Sequence, residues 1–346
     1  MSLRIGMLAP ISHPIPPPSY GPWERVCFEL VEGLQELGHE VTLFAPAGSE
    51  TSAAHLVETS PHSLDRGDLD PRLWEERHIA LAMDHARAGS FDVVHSHLHV
   101  HALGYGPFLP CPIVSTLHGV AWHAPHRPLL LAYQEQPFVS ISNAERTFLP
   151  ELNYVATVYN GIRVEDHPFV PSSGGYLAFV GRVAPEKAVD LAIEVARRSG
   201  MPLKLAGGVE EKHTGFFQRS VEPAVDGHAV EYLGTLNRPE TITLLSQASG
   251  LLMPLRWDEP FGLVVTEAMA SGTPVIAWRR GAMPEIVEDG VTGFLVDDVD
   301  AAVAAVGHLR EIDPGACRRR VEESFSRQAM ARGYEGAYRR AIEQRP

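Results

Sequence analysis

Two glutamates, Glu259 and Glu267, stand eight residues apart around Phe261, Gly262 and Leu263 in the run EPFGLVVTE. A helix opening at Gly262 would present free N–H groups and the positive end of its dipole, which together attract an anion. Glu267 would then lie about 7 Å of rise inside the helix, with Glu259 in the loop ahead of it. A phosphate at the helix start would have a carboxylate on either side, and a carboxylate can accept two O–H bonds from a vicinal diol. A solvated acidic loop beside an unrelated helical glutamate is the commoner origin of such a pair. The embedding FG and the continuation EAMASGTPVIAW argue against that origin here.

The run EPFGLVVTEAMASGTPVIA resembles the E-x7-E signature of the retaining glycosyltransferases of family four, which have the two-domain GT-B fold. Other segments match in the same order: DVVHSH (92–97), TLHGV (116–120), VYNGI (158–162), GRVAPEKA (181–188) and MPEIVEDGVTGFLV (283–296). These span most of residues 1–300. The resemblance implies a UDP- or GDP-sugar donor held mainly by the second domain. It likewise implies an acceptor, expected to be a soluble small molecule or saccharide, held mainly by the first, with reaction in a cleft between domains.

The resemblance also assigns roles. Glu259 would hold sugar hydroxyls and Glu267 the ribose, with backbone at Phe261, Gly262 and Leu263 on the diphosphate. Arg182 and Lys187 would carry the charge that grows on the leaving diphosphate, where a fixed cation stabilises the transition state more than the ground state. Lys187 is one of only three lysines against 26 arginines. Such cations could remove the need for a metal, so no metal or other cofactor is expected, and no acidic metal-binding cluster of the Asp-x-Asp type is anticipated. His118 would line the donor-sugar pocket, and Gly21, in the loop SYGPW, would approach the donor phosphates. The second glycine of the family's loop is here Pro22, which has no N–H to donate. Retention implies same-face attack, with the departing phosphate oxygen accepting the acceptor's proton.

His95, His97, His99 and His101 alternate and would share one face of an extended strand. A metal site, contacts to the acceptor and ordinary loop packing are all open readings. No carboxylate or cysteine is interleaved to complete a metal site.

The rival functions are a nucleotide-sugar epimerase of the same fold, a glycoside phosphorylase and a non-catalytic nucleotide-sugar binding protein. The intact E-x7-E with its Arg/Lys pair argues against the last. A dinucleotide oxidoreductase is disfavoured because the first strand is not followed by G-x-G-x-x-G.

The elements that must position these residues alternate between strand and helix. Strand candidates in the first part are 3–9, 40–45, 91–96, 112–118, 137–142 and 154–159. A helix from Pro22 to Leu37 carries Trp23, Val26, Cys27, Leu30, Val31, Leu34 and Leu37 at helical spacing. The linker-like stretch DHPFVPSSGG (166–175) follows. The pattern then restarts with strands at 176–181, 202–208, 229–234, 250–255, 274–278 and 293–296 and a helix near 186–199. Buried strands separated by helices predict doubly wound parallel sheets. The expectation is an α/β chain of two Rossmann-like domains, 1–168 and 172–325. A last helix within 326–346, with Met330, Tyr334, Tyr338 and Ile342 on one face, is expected to return to the first domain.

Charge and composition exclude other classes. Residues 1–168 hold 9 Arg, no Lys and 19 acidic residues, a balance of −10 within the chain's −14. Neither part has the basic excess of a nucleic-acid binder, and the lysine-free first part does not suit an anionic lipid surface. No apolar run approaches the roughly 20 residues of a membrane helix. The N-terminus enters a strand pattern at once, without the h-region of a signal peptide. Cys27, Cys111 and Cys317 form no paired spacing. A cytoplasmic protein with no integral membrane segment is expected.

Overall fold

In the computed structural model, residues 1–345 are described except 20, 54, 90, 120–122 and 171–173. Tyr20 and Val120 of the quoted motifs, and residues 171–173 of the linker stretch, therefore lie outside the described residues. The chain divides into two compact units, Met1–Ile162 with Ser326–Pro346, and Arg163–Phe325.

The first unit is a seven-stranded parallel sheet of β1 (Arg4–Leu8), β2 (Glu40–Ala45), β3 (His55–Glu58), β4 (Val93–Ser96), β5 (Ile113–Thr116), β6 (Phe138–Ser140) and β7 (Tyr154–Thr157). Its order is β3-β2-β1-β4-β5-β6-β7. The strands β1, β4 and β5 are almost wholly buried, as in parallel sheets covered on both faces. Strand β3 was not expected; its half-exposed HLVE at the sheet edge shows no alternation to read.

Helix α1 (Pro22–Glu36) starts with proline at its first position and buries Val26, Cys27, Leu30, Val31 and Leu34. Trp23 and Leu37, expected on that face, are instead 40% and 37% exposed, because they sit at the two ends of the helix, beyond the core it covers. Helix α2 (Pro71–Arg87) is capped by the Asp70 carboxylate, which accepts from the N–H groups of Arg72 and Leu73. Two short helices follow, α3 (Arg127–Ala132) and α4 (Asn143–Arg146).

The C-terminal helix (Arg327–Glu343) belongs to this unit, as expected. It buries Met330, Tyr334 and Tyr338, whereas Ile342 is only half-buried. It lies so close to α1 that a Cβ on Gly33 would stand 2.9 Å from that of Ala331. Arg327 reaches across to Glu29, with both side chains almost fully buried.

The second unit repeats the plan in six parallel strands: β8 (Leu177–Val180), β9 (Leu203–Ala206), β10 (Val230–Tyr232), β11 (Gly250–Met253), β12 (Val275–Trp278) and β13 (Gly293–Val296). Their order is β10-β9-β8-β11-β12-β13. The covering helices are α5 (Val189–Ser199), α6 (Thr214–Ser220), α7 (Arg238–Gln247), α8 (Leu263–Ala270), α9 (Met283–Ile286), α10 (Val299–His308) and α11 (Pro314–Ser324). Residues 163–168, expected in the first domain, go with this unit. Arg318 donates to the His167 carbonyl at 2.6 Å, and Arg238 lies 3.7 Å from Asp166.

In each sheet the chain reverses direction of winding once, between β1 and β4 and between β8 and β11. Loops leaving the carboxyl ends of the strands flanking such a switch point diverge and leave a crevice where ligands bind. Those loops carry Gly21 and the histidine run in the first unit. In the second they carry GRVAPEKA and DEPFG.

Candidate active site

In the second unit, the loop after β8 brings Lys187 to the loop after β11. Lys187 closes a tight turn (Pro185–Lys187) and is followed by buried Ala188 in the left-handed region at φ 54°. Its ammonium donates to Glu259 Oε2, and the Trp257 indole N–H donates to the same oxygen at 3.1 Å. The ammonium also stands 4.7 Å from the Trp257 ring centroid, a cation–π contact. Arg256 ties the two loops together: its N–H donates to the Glu186 carbonyl, and its guanidinium grips Asp190 in two bonds of 2.7 Å.

The backbone of Glu259 is clamped from behind. Ala282 N–H donates to its carbonyl at 2.8 Å. Gly281, at φ 54°, comes so near that a Cβ there would fall 2.3 Å from the same oxygen. Only glycine allows that approach, and a lone glycine in RRGAMPEIV was the one available signal for it.

Gly262, at φ 92°, caps α8, so the helix opens where the sequence pattern put it. Leu263 begins the helix, and Phe261 is buried edge-on against Phe325 with centroids 5.8 Å apart. Phe261 can therefore offer a ligand only its backbone. Arg182 and Glu267 have protein partners. Arg182 donates to Glu210 at 2.7 Å and lies 3.6 Å from Glu186. Lys212 and then Arg182 push the Glu210 carboxyl down to about 2. Glu267 lies 3.1 Å from Arg238, each less than a fifth exposed. Arg238, Trp257, Arg256 and Gly281 were not singled out from the sequence.

In the first unit, β4 ends at Ser96, so the four histidines do not share a strand face. His95 and His97 are buried, His99 half-buried at φ 55°, and His101 exposed. His118, at φ 51°, follows β5 and meets His97: Nε2 of His118 and Nδ1 of His97 are 2.7 Å apart. One of these nitrogens must carry the proton and the other lack it. Burial also holds both rings far below the usual histidine range, so both are neutral. Behind them the His95 Nε2 bonds Thr116, its Nδ1 bonds the Tyr338 hydroxyl at 2.7 Å, and Thr116 bonds Tyr334.

Glu145, near the start of α4, receives the N–H of Gly119 on one oxygen and the N–H of Ile141 on the other. It thereby anchors the turn that holds His118. Burial drives its carboxyl up to about 7, against the two N–H bonds. Gly21 (φ 156°) heads α1, with space for a Cβ closed by Pro17 at 2.7 Å. Trp23 in the first turn lies 4.6 Å from the His99 ring and 6.3 Å from that of His118.

Among the described residues no three His, Cys, Asp or Glu side chains are placed to share a metal ion. Asp-x-Asp spacing does occur twice, and both pairs serve the fold. Asp70 and Asp298 cap α2 and α10, while Asp68 pairs with His62 and Asp300 with Arg198. Nor is any helix among the described residues long and apolar enough to cross a membrane.

Comparison with known proteins agrees with this architecture. Residues 23–166 match the profile described as Glycosyltransferase Family 4, and residues 166–321 that of Glycosyl transferases group 1. A glycogen synthase of Mycobacterium tuberculosis is 29% identical over an alignment 377 positions long, covering 92% of this chain and 89% of that protein. The structure of AviGT4, a glycosyltransferase involved in avilamycin A biosynthesis, superposes with a TM-score of 0.73 at 23% identity, covering 99% and 98% of the two chains. Anabaena HepE in complex with UDP-glucose gives 0.70 at 18%, covering 95% and 97%. The chain belongs to the glycosyltransferases of the two-domain GT-B fold and the family-four type.

Proposed function

We propose that this glycosyltransferase moves a sugar from a nucleoside diphosphate sugar to an acceptor hydroxyl, with retention of configuration and without a metal. The observation that carries the reading is the Lys187–Glu259 pair beside the Gly262-capped start of α8, at the switch point of the second sheet. The helix start supplies N–H groups to a diphosphate, and Lys187 and Arg182 supply charge as the leaving group departs. Glu259, its Oε2 held by the two donors Lys187 and Trp257, is assigned to the sugar hydroxyls, and Glu267 to the ribose. His118 and Gly21 are assigned to the donor by family resemblance, and His118 is suited to a sugar hydroxyl because its ring is neutral. HepE, of the same fold, was solved with UDP-glucose, which supports a donor of this class.

In the proposed step the anomeric carbon–phosphate oxygen bond breaks and the acceptor oxygen bonds that carbon on the same face. The acceptor's proton passes to the departing phosphate oxygen, leaving a nucleoside diphosphate and a glycoside. A panel of nucleotide sugars is screened by thermal shift, since a ligand selective for the folded state raises Tm. Turnover is then followed by NMR with and without EDTA. The expected result is a product of unchanged anomeric configuration, formed equally in chelator. An inverted product, a requirement for added manganese or magnesium, or epimerisation of donor without acceptor would each overturn the corresponding part.

A further inference from the structure

A cavity of about 80 Å³ lies within the first domain, against the histidine run. Its walls are chemically mixed. Trp23 offers a flat apolar face, Ile79 and Leu98 close the apolar side, and His97, His99 and Glu75 bring polar groups. From these residues we infer that the pocket receives the acceptor as an uncharged polyhydroxyl ring, and that it disfavours a phosphorylated one. The inference rests on the transferase reading above.

Three features lead there. First, no arginine or lysine is among the described residues lining the pocket, and its one carboxylate, Glu75, repels an incoming phosphate. Arg77, two residues on from Glu75, is turned away to the Thr59 carbonyl. Second, the ring nitrogens of the two more buried histidines, His97 and His99, are uncharged. Burial holds the His97 imidazole far below its usual range and that of His99 at about 4. A neutral imidazole both donates and accepts, as a hydroxyl does, whereas a phosphate only accepts. Third, His97 has a polar atom in reserve. Its Nδ1 is spent on His118, while its buried Nε2 has no partner among the described residues, and a buried polar atom left without a bond is costly. A ring hydroxyl would satisfy it, with the ring's C–H face on Trp23, a residue 40% exposed.

The test uses matched pairs, each a free sugar or cyclitol with its own monophosphate. Turnover at saturating donor and thermal shift are both measured. The free member is expected to exceed its monophosphate in kcat/KM by on the order of a hundredfold. The E75Q variant should raise KM for that acceptor several-fold while KM for the donor stays put, and E75K should narrow the discrimination. Preference for the phosphorylated members overturns the inference. So does an unchanged acceptor KM in E75Q. If donor binds but no member of any pair is turned over or raises Tm, the pocket is not the acceptor site and the inference falls. Failure of the transferase reading shows separately, as the absence of any thermal shift with nucleotide sugars.

Discussion

At the scale of residues, the site of the second domain is a shared-charge device. Glu259 and Lys187 are each largely buried, with side chains 11% and 16% exposed, and each is held in place by the other and by Trp257. Lys187 thus has two tasks, on the leaving group and on the orientation of Glu259. Replacing it by alanine is expected to lower kcat by at least about tenfold, the lower end for loss of a transition-state charge partner. It should also cost about 1–3 kcal/mol of stability, because among the described residues the carboxylate then keeps only the indole donor. Donor turnover and denaturant titration of K187A measure the two effects. A variant with unaltered kinetics removes Lys187 from the site. The E-x7-E spacing and the Arg/Lys spacing were legible because each pair lies within one short, continuous stretch of sequence. The Arg238–Glu267 and Arg182–Glu210 pairs were not, because their members are 29 and 28 residues apart, on elements that follow different strands.

At the scale of elements, the C-terminal helix supplies the back wall of the histidine cluster. Tyr334 and Tyr338 stand on the same face and reach Thr116 and His95, so this helix helps determine how the rings behind His118 are hydrogen-bonded. The helix is held to α1 by small-residue contact at Gly33 and by the Arg327–Glu29 pair, whose side chains are 6% and 1% exposed. Arg327→Ala would leave the Glu29 charge buried without its main partner. The expected cost is about 3–5 kcal/mol, or about 6–20 °C in Tm at this domain size. The double variant R327M/E29L should recover most of it, since an apolar pair of similar volume pays no desolvation. Calorimetry of the three proteins decides this. A loss below about 1 kcal/mol in the single variant would show the pair to be incidental. The apolar i+4 spacing of Met330, Tyr334 and Tyr338 announced an amphipathic helix with a partner. The identity of α1 as that partner depended on closeness at Gly33 that no local pattern encodes.

At the scale of the whole molecule, buried neutral histidines make the fold acid-sensitive. His78, His95, His97, His99 and His118 in the first domain and His167 in the second all have imidazoles lowered by burial. His78 and His99 fall to about 4 and His167 to about 3. Below the usual histidine pKa of about 6.5 the unfolded chain takes up protons that the folded chain refuses, so stability falls as pH drops from there toward 4. Glu145 works the other way: raised to about 7, it binds a proton in the folded state first, and its contribution weakens as pH rises from about 4.5 to 7. Each tenfold difference in proton affinity is worth about 1.4 kcal/mol, and the histidines outnumber the single glutamate. Melting temperature is therefore expected to be flat between about pH 7 and 8 and to fall steeply between pH 6.5 and 4. A Tm unchanged down to pH 5 would contradict the buried, neutral assignment of the cluster.

The sequence by itself determined the parallel α/β class and the family-four resemblance. It also placed the helix opening at Gly262 and most strands to within a few residues. These are local properties: strand hydrophobicity, helical spacing, a glycine at a turn, charges a few residues apart. The tertiary structure alone decided which strand ends meet. The sheet orders join β8 to β11 and β1 to β4, and so set Lys187 on Glu259 and the histidine run near the loop after β1. It also decided that Trp23 faces the histidines instead of the core, that Glu145 anchors the His118 turn, and that residues 163–168 belong with the second unit. Each of these depends on contacts between residues far apart in sequence, and hydrophobic periodicity specifies that a face is buried without specifying what buries it.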